Sequence, residues 1–270
     1  MPLHTIDDHA VYYASTGSGH PLLLIAGLGS NRSFWWKQIP ALSARHQVIT
    51  LDNRGIGDSP PVAEPFTVAD MADDAAALIR ALGLGPTHIV GVSMGGFISV
   101  TLALRHPELV DKLVLCATSA GGAAHVPPPP EMLDLLVQPD FPDIAARTRA
   151  VYGAIAAPGY MAAHPEDMDF LIRDAEEKPP TMETYFHQLG AVHNYTSQAG
   201  ADKDLDRITA PTLVIHGDID PLVDYENGRF LATHIKDARF ETYTGVGHLV
   251  PIEASDRFNA DVLDFLQPEG

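Results

Sequence analysis

Gly91-Val92-Ser93-Met94-Gly95-Gly96 places a serine in a G-x-S-x-G run. On a sharp strand-to-helix turn such a serine is strained and its neighbours must be small, which Gly91 and Gly95 are. The turn would lift the hydroxyl above a sheet, and the amides at the start of the following helix would face a developing oxyanion. A serine hydroxyl attacks a carbonyl only when a base removes its proton. The chain holds 13 histidines, so placement must select one. His248 follows Tyr243-Thr244-Gly245-Val246-Gly247 on a Gly-flanked loop just after the last expected strand. His216 ends a strand two residues before an acidic turn and reads as structural. A base also needs an orienting carboxylate. Asp218, Asp220 and Asp224 all follow the strand that ends near His216.

The elements that must position these residues are visible as alternating patterns. Leu22–Ala26, Gln47–Leu51, His88–Val92 and Lys112–Ala117 are short apolar runs, as strands buried on both faces of a parallel sheet are. His9–Ser15 is expected as an edge strand, and Thr212–His216 and Arg239–Tyr243 as later ones. Helices are expected at Ser33–Ala44, Thr67–Leu82, Met94–Arg105 and Ser255–Leu266. The clearest is Thr67–Leu82: Thr67 caps it, Asp70 lies in its first turn, and Val68, Met71, Ala72, Ala75, Leu78, Ile79 and Leu82 share one face. Strand and helix alternating at this spacing imply an α/β fold, a mostly parallel central sheet flanked by helices. Serine, acid and histidine each then fall at the carboxyl end of a strand, where open α/β sheets bind ligands. Their chain order is Ser, Asp, His.

The alternation breaks between the strand ending at Ala117 and the one starting at Thr212. Helix-like segments at Glu131–Val137, Pro142–Ala156, Pro165–Glu177 and Thr181–Tyr195 indicate a helical cap insertion over 120–207, with 1–119 and 208–270 forming the core. Proline fills 127–130, a stiff entry to the cap. The 270 residues, 46% of them hydrophobic, are ample for one large domain. Lys and Arg number 17 against 35 Asp and Glu, a net charge of −18, which argues against a nucleic-acid partner. The single cysteine, Cys116, excludes an internal disulfide, fits a cytoplasmic protein, and reads as a small buried hydrophobe. No signal peptide and no membrane span are expected. No metal-ligand cluster is apparent along the chain, and Gly27-Leu28-Gly29 lacks the rest of a nucleotide-binding fingerprint, so no cofactor is expected.

Ala26-Gly27-Leu28-Gly29, Asp52 to Ser59, the run at 91–96, His216-Gly217-Asp218-Ile219-Asp220 and Gly247-His248 together resemble the ordered signature of the α/β-hydrolase family. The stretch from Gly27 to Ala117 is most similar to 3-oxoadipate enol-lactonases and related small carboxylesterases. The resemblance implies the α/β-hydrolase fold, with Ser93 as nucleophile and His248 as base. Its H-G-x-x-D pattern implies Asp220, not Asp218, as the acid. It further implies the backbone amides of Leu28 and Met94 as oxyanion donors. Three departures stand out. Ala26 occupies a place where the family often has His. The nucleophile is Ser rather than Asp, against dehalogenase or epoxide hydrolase chemistry. Leu249 follows the histidine where carbon–carbon bond hydrolases carry Trp.

Phe34, Trp35 and Trp36 follow the Gly27-Leu28-Gly29 loop. Trp35 and Trp36 are candidate pocket residues, and packing of the first helix on the sheet is the competing role for at least one of the three aromatics. Arg54 either meets a substrate carboxylate or braces its own loop. The expected activity is hydrolysis of a small carboxylic ester or lactone through an acyl-enzyme, with an enol-lactonase, perhydrolase or acyltransferase as close rivals. The rival of another class is a small-molecule receptor on the same fold. A complete Ser, Asp and His set counts against it, because binding alone needs none. The sequence leaves the oligomeric state open.

Overall fold

A computed structural model describes residues 3–6, 9–198 and 200–267; Met1 and Pro2, part of the terminus considered above, lie outside them. Eight strands form one sheet: β1 (Leu3–Ile6), β2 (His9–Thr16), β3 (His20–Ile25), β4 (His46–Asp52), β5 (Thr87–Val92), β6 (Val110–Cys116), β7 (Thr212–Gly217) and β8 (Arg239–Tyr243). Their order is β1-β2-β4-β3-β5-β6-β7-β8. The β1–β2 and β2–β4 pairs are antiparallel and all others parallel. The protein therefore has the expected α/β-hydrolase architecture, a mostly parallel sheet flanked by helices.

The apolar runs work as two-faced strands. Leu23 and Ile25 of β3, Ile89 of β5 and Leu113 and Leu115 of β6 enter one core with the helices Val68–Ala81 and Met94–Arg105. Leu22 and Leu24, Val90 and Val92, and Val114 and Cys116 point the other way, into a core with Phe34, Trp35, Leu42, Phe258 and Val262. Every residue of β5 is buried. Such a sheet leaves only the loops at its two ends to solvent, and that is where chemistry can sit. Between β6 and β7 the described chain is helical: Pro130–Val137, Ile144–Ile155, Tyr160–Ala163, Pro165–Glu177 and Met182–Ser197. No helix of the described residues is long and apolar enough to cross a membrane.

Local chemistry explains the boundaries. Thr67 and Asp70 form a reciprocal capping box, so the helix starts at Val68. Two expectations need correction. His9–Ser15 is not an edge strand, because β1 pairs along it; β1 has only four residues, too few for a period-two signal. Ser33–Ala44 is not one helix. A 3₁₀ turn at Arg32–Trp35 and a short helix at Ile39–Leu42 replace it. Pro40 has no amide to donate back into a preceding turn, so it can open a helix but not continue one.

The turn at Ser93 depends on a close approach. A Cβ on Gly95 would lie 2.1 Å from the Ile25 carbonyl oxygen, with backbone on both sides. Gly153, inside the helix Ile144–Ile155, has nothing within 4 Å of its would-be Cβ. Gly95→Ala should thus lose about 1–3 kcal/mol or more through overpacking. Gly153→Ala should gain about 0.4–1 kcal/mol. Urea unfolding of both variants checks this pair; equal effects would show that the β3 approach is not what excludes a side chain.

Candidate active site

Ser93 sits between β5 and the helix Met94–Arg105 with φ 56° and ψ −122°. A non-glycine residue in this region is strained, and such strain persists only where the surroundings enforce it. Here they do. The Ser93 amide donates to Cys116 O at 3.0 Å, and Gly96 N donates to Ser93 O at 2.8 Å. Thr118 Oγ1 donates to Ser93 O at 2.8 Å. Gly27, just past β3, faces Ser93: a Cβ there would lie 3.2 Å from Ser93 Cβ and 3.6 Å from Oγ. The chain from Gly27 to Leu28 therefore passes directly beside the hydroxyl. Ser93 and Leu28 line the same cavity, and Ser93, Leu28 and Met94 line a second that meets it.

The three aspartates after β7 have separate partners. Asp218 Oδ1 accepts the Gly245 amide at 2.7 Å and ties the turn after β8. Asp224 Oδ1 accepts Glu226 N at 2.8 Å and caps the helix Tyr225–His234. Asp220 Oδ1 accepts the amides of Leu222 and Val223, each at 2.9 Å. Its Oδ2 lies 2.8 Å from His248 Nδ1. Burial pushes the Asp220 carboxyl up, but the His248 charge and hydrogen bonds from His216 and His248 outweigh it and hold the group well below the usual carboxylate range. Asp220 is thus an ionised, buried acceptor. It accepts from the Nδ1 side of His248, and Nε2 lies on the other side of the ring, outside that contact.

The His248 loop is held from both sides. Its amide donates to Ile155 O at 2.9 Å. Glu253 accepts Gly247 N at 2.9 Å and Ala157 N at 3.0 Å through Oε2, and Leu249 N at 2.9 Å through Oε1. The loop at Gly27–Asn31 is braced likewise: Gly29 N donates to Gln188 Oε1 at 2.9 Å and Asn31 Nδ2 to Asp174 Oδ2 at 2.9 Å. Ala26 therefore does not leave the loop unsupported. Gln188 and Asp174 carry no signal along the chain, since each acts on a group more than 140 residues away, and Glu253 carries none because its partners are main-chain amides. His216 proves to be more than a strand end. It is fully buried, and its Nε2 lies 3.4 Å from Asp220 Oδ2 and 2.9 Å from Val223 O.

The pocket assignment of Trp35 and Trp36 is corrected. Trp35 is 0% exposed and packs in the core under β3 and β5, edge-on to Phe34. Trp36 stacks on Phe170 at 4.2 Å, against the helix Pro165–Glu177. Neither reaches the cavity; Phe34 does. In a 3₁₀ turn three successive side chains point in three directions, so only one can face the ligand. Arg54 pairs with Asp74 and braces its own loop.

Two arms meet at Ser93. One, of about 190 Å³, is lined by His248, Ser30, Tyr152, Arg147 and Asp174. The other, of about 480 Å³, is lined by Met94, Phe97, Leu133, Val137, Phe186 and Leu189. The alpha/beta hydrolase fold family matches residues 20–255, and the chain belongs to that family and is a hydrolase. It is 31% identical to a putative carbamate hydrolase RutD of Caulobacter sp. (strain K31), over 100% of this chain and 99% of that protein. It is also 31% identical to the poly(3-hydroxyalkanoate) depolymerase of Ectopseudomonas oleovorans, covering 92% of this chain and 85% of that one. Among solved structures, the enol-lactonase of Burkholderia xenovorans LB400 superposes with TM-score 0.85 at 27% identity, over 98% and 99% of the two chains.

Asp220→Asn should lower turnover by about 10⁴, as loss of the acid that sets a histidine tautomer does. Asp218→Asn, which loses one turn hydrogen bond, should lower it far less. Steady-state kinetics on one activated ester ranks the two; the opposite order would place the acid at Asp218.

Proposed function

We propose that the protein is a serine hydrolase that cleaves small carboxylic esters or lactones through an acyl-enzyme on Ser93. The observation that carries this reading is the strained Ser93 at the meeting of two cavities, one of them also lined by a His248 whose Nδ1 is held by Asp220. His248 Nε2 takes the Ser93 proton as Oγ attacks the carbonyl carbon. The amides of Leu28 and Met94 stabilise the oxyanion. The intermediate collapses, His248 protonates the leaving alcohol oxygen, and the acyl group stays on Oγ. Water then attacks by the same route, releasing the acid and restoring the serine. Because His248 delivers the proton, the alcohol limb belongs in the arm that His248 lines. The acyl limb then enters the apolar arm with Phe97 and Phe186.

An apolar arm discriminates weakly, by about 1–3 kcal/mol per methylene. Several short or medium acyl esters should be turned over, short ones best, with activity falling as the chain grows long. The test is hydrolysis of a p-nitrophenyl ester series, several lactones and a small carbamate, the last because of the RutD relative. Ser93→Ala should abolish turnover with the fold intact by circular dichroism, and an organophosphonate should label Ser93 alone. Labelling elsewhere, or turnover by the Ala variant, would overturn the mechanism.

One observation favours a second reading, an acidic lactone or ester. Arg147 lines the His248 arm, its guanidinium lies over the Tyr185 ring at 4.3 Å, and its Nε is buried without a hydrogen-bond partner among the described residues. A substrate carboxylate would supply that partner. Arg147→Ala should then raise KM for a carboxylate-bearing substrate by about 10- to 100-fold, the scale of a lost charged hydrogen bond, while leaving a neutral ester nearly unchanged. Equal effects on both substrates would leave Arg147 a packing residue.

A further inference from the structure

We propose that His20, His88 and Asp111 form a binding site for one divalent transition-metal ion of the zinc type, at the end of the sheet opposite Ser93. The reasoning begins with the topology. β3, β5 and β6 are parallel neighbours, so their first residues lie side by side. His20 opens β3, His88 is second in β5, and Asp111 is second in β6. The register of β5 on β6 shifts between Thr87 and Ile89. Thr87 pairs with Val110 and Ile89 with Leu113, so His88 faces two residues, Asp111 and Lys112, instead of one. A bulge of this kind re-aims side chains.

The resulting geometry suits a metal. The His20 nitrogen, the His88 nitrogen and an Asp111 oxygen all lie within 4.8 Å of one another. His20 Nε2 is 3.0 Å and His88 Nδ1 3.3 Å from Asp111 Oδ2. A tetrahedral zinc ion with bonds of about 2.0–2.1 Å holds its ligands about 3.3–3.4 Å apart. Two imidazoles and a carboxylate are a donor set for zinc and its neighbours. The set leaves the fourth position to water.

A second observation points to a ligand. His88 is 4% exposed, and its Nδ1 has no hydrogen-bond partner among the described residues despite its closeness to Asp111. A buried polar atom without a partner is costly, and native structures rarely leave one so. Nδ1 therefore approaches the carboxylate without the alignment a hydrogen bond needs, which is the relation of two atoms aimed at a common third. The nearby cation does not fill this role. Lys112 Nζ donates to Phe265 O at 3.0 Å and Gln267 O at 2.7 Å. His20 and Asp111 are partly exposed, so an ion has a path in. His46 stands beside the group, its ring 5.7 Å from that of His88.

His88 precedes Ser93 by five residues of extended chain, roughly 16 Å. The ion thus cannot touch substrate. It would clamp three strands at their amino ends, and it would bind the folded chain far better than the unfolded one. This site stands or falls independently of the Ser93 mechanism. The group has no ligand spacing along the chain: the three residues are 68 and 23 positions apart, and only the sheet unites them.

The test uses the full, untagged chain after chelation. Calorimetric titration with Zn²⁺ should show one ion per chain, and Co²⁺ should give the visible absorption of a four-coordinate nitrogen and oxygen site. The melting midpoint should rise by on the order of 5 °C at a metal concentration about 100 times Kd. His20→Ala and Asp111→Asn alter partly exposed positions that the fold tolerates. Each should weaken binding by more than about 10-fold and leave ester turnover unchanged. No stoichiometric binding by the parent chain, or parent-like affinity in either variant, would overturn the proposal.

Discussion

Ser93 holds φ 56° because the chain around it has been cleared of side chains. Gly95 admits the Ile25 carbonyl, Gly27 admits the serine itself, and Gly91 admits the backbone of Gly95. A Cβ on Gly95 would push β3 from the helix Met94–Arg105, one on Gly91 would meet the backbone of Gly95, and one on Gly27 would crowd Ser93 itself. The turn would then relax, the hydroxyl would sink, and the helix amides would lose their aim. The strain is carried by a sheet whose central strand is buried throughout. The rest of the site is arranged around this turn, whose backbone is held at both the Ser93 amide and its carbonyl.

The helices between β6 and β7 are part of that placement rather than a loose cover. Ile155 and Ala157 hold the His248 loop, directly and through Glu253. Gln188 and Asp174 hold the loop beside the serine. These contacts join the His248 loop and the Gly27–Asn31 loop to the segment between β6 and β7. A displacement of those helices large enough to admit a bulky substrate would break at least one of them. The alignment that the proposed chemistry needs is therefore tied, through these contacts, to the segment between β6 and β7.

What the sequence disclosed, and what it withheld, follows from the range of the interactions. The capping box at Thr67 and Asp70 is written in four residues, and the helix starts where they say. The two-faced strands are visible because burial on both sides demands unbroken apolar runs. Ser93, His248 and the three aspartates after β7 stand out as candidates because strand ends give them recognisable neighbours, and only the family pattern singles out Asp220 among the three. By contrast, Trp35 and Trp36 are adjacent in sequence yet point into the core and against the helix Pro165–Glu177, a division that depends on a 3₁₀ turn no composition announces. The helix Tyr225–His234 went unmarked because its few buried residues, Asn227, Gly228 and Leu231, give almost no apolar stripe. Glu253 could not be found at all, since its partners are main-chain amides.

The acid's surroundings extend the reach of the site further than its three residues. Asp220 spends Oδ1 on two backbone amides, so only Oδ2 remains for the imidazoles. Both His248 and His216 lie against that oxygen. His216 Nε2 faces two acceptors, Asp220 Oδ2 and Val223 O, and so must carry a proton. Its Nδ1 points at Gly228, where a Cβ would come within 2.4 Å. The lack of a side chain on the helix Tyr225–His234 thereby lets His216 stand where it supports Asp220, and Asp220 in turn holds Nδ1 of His248. The placement of His248 thus begins three contacts away, in the packing of a helix against β7.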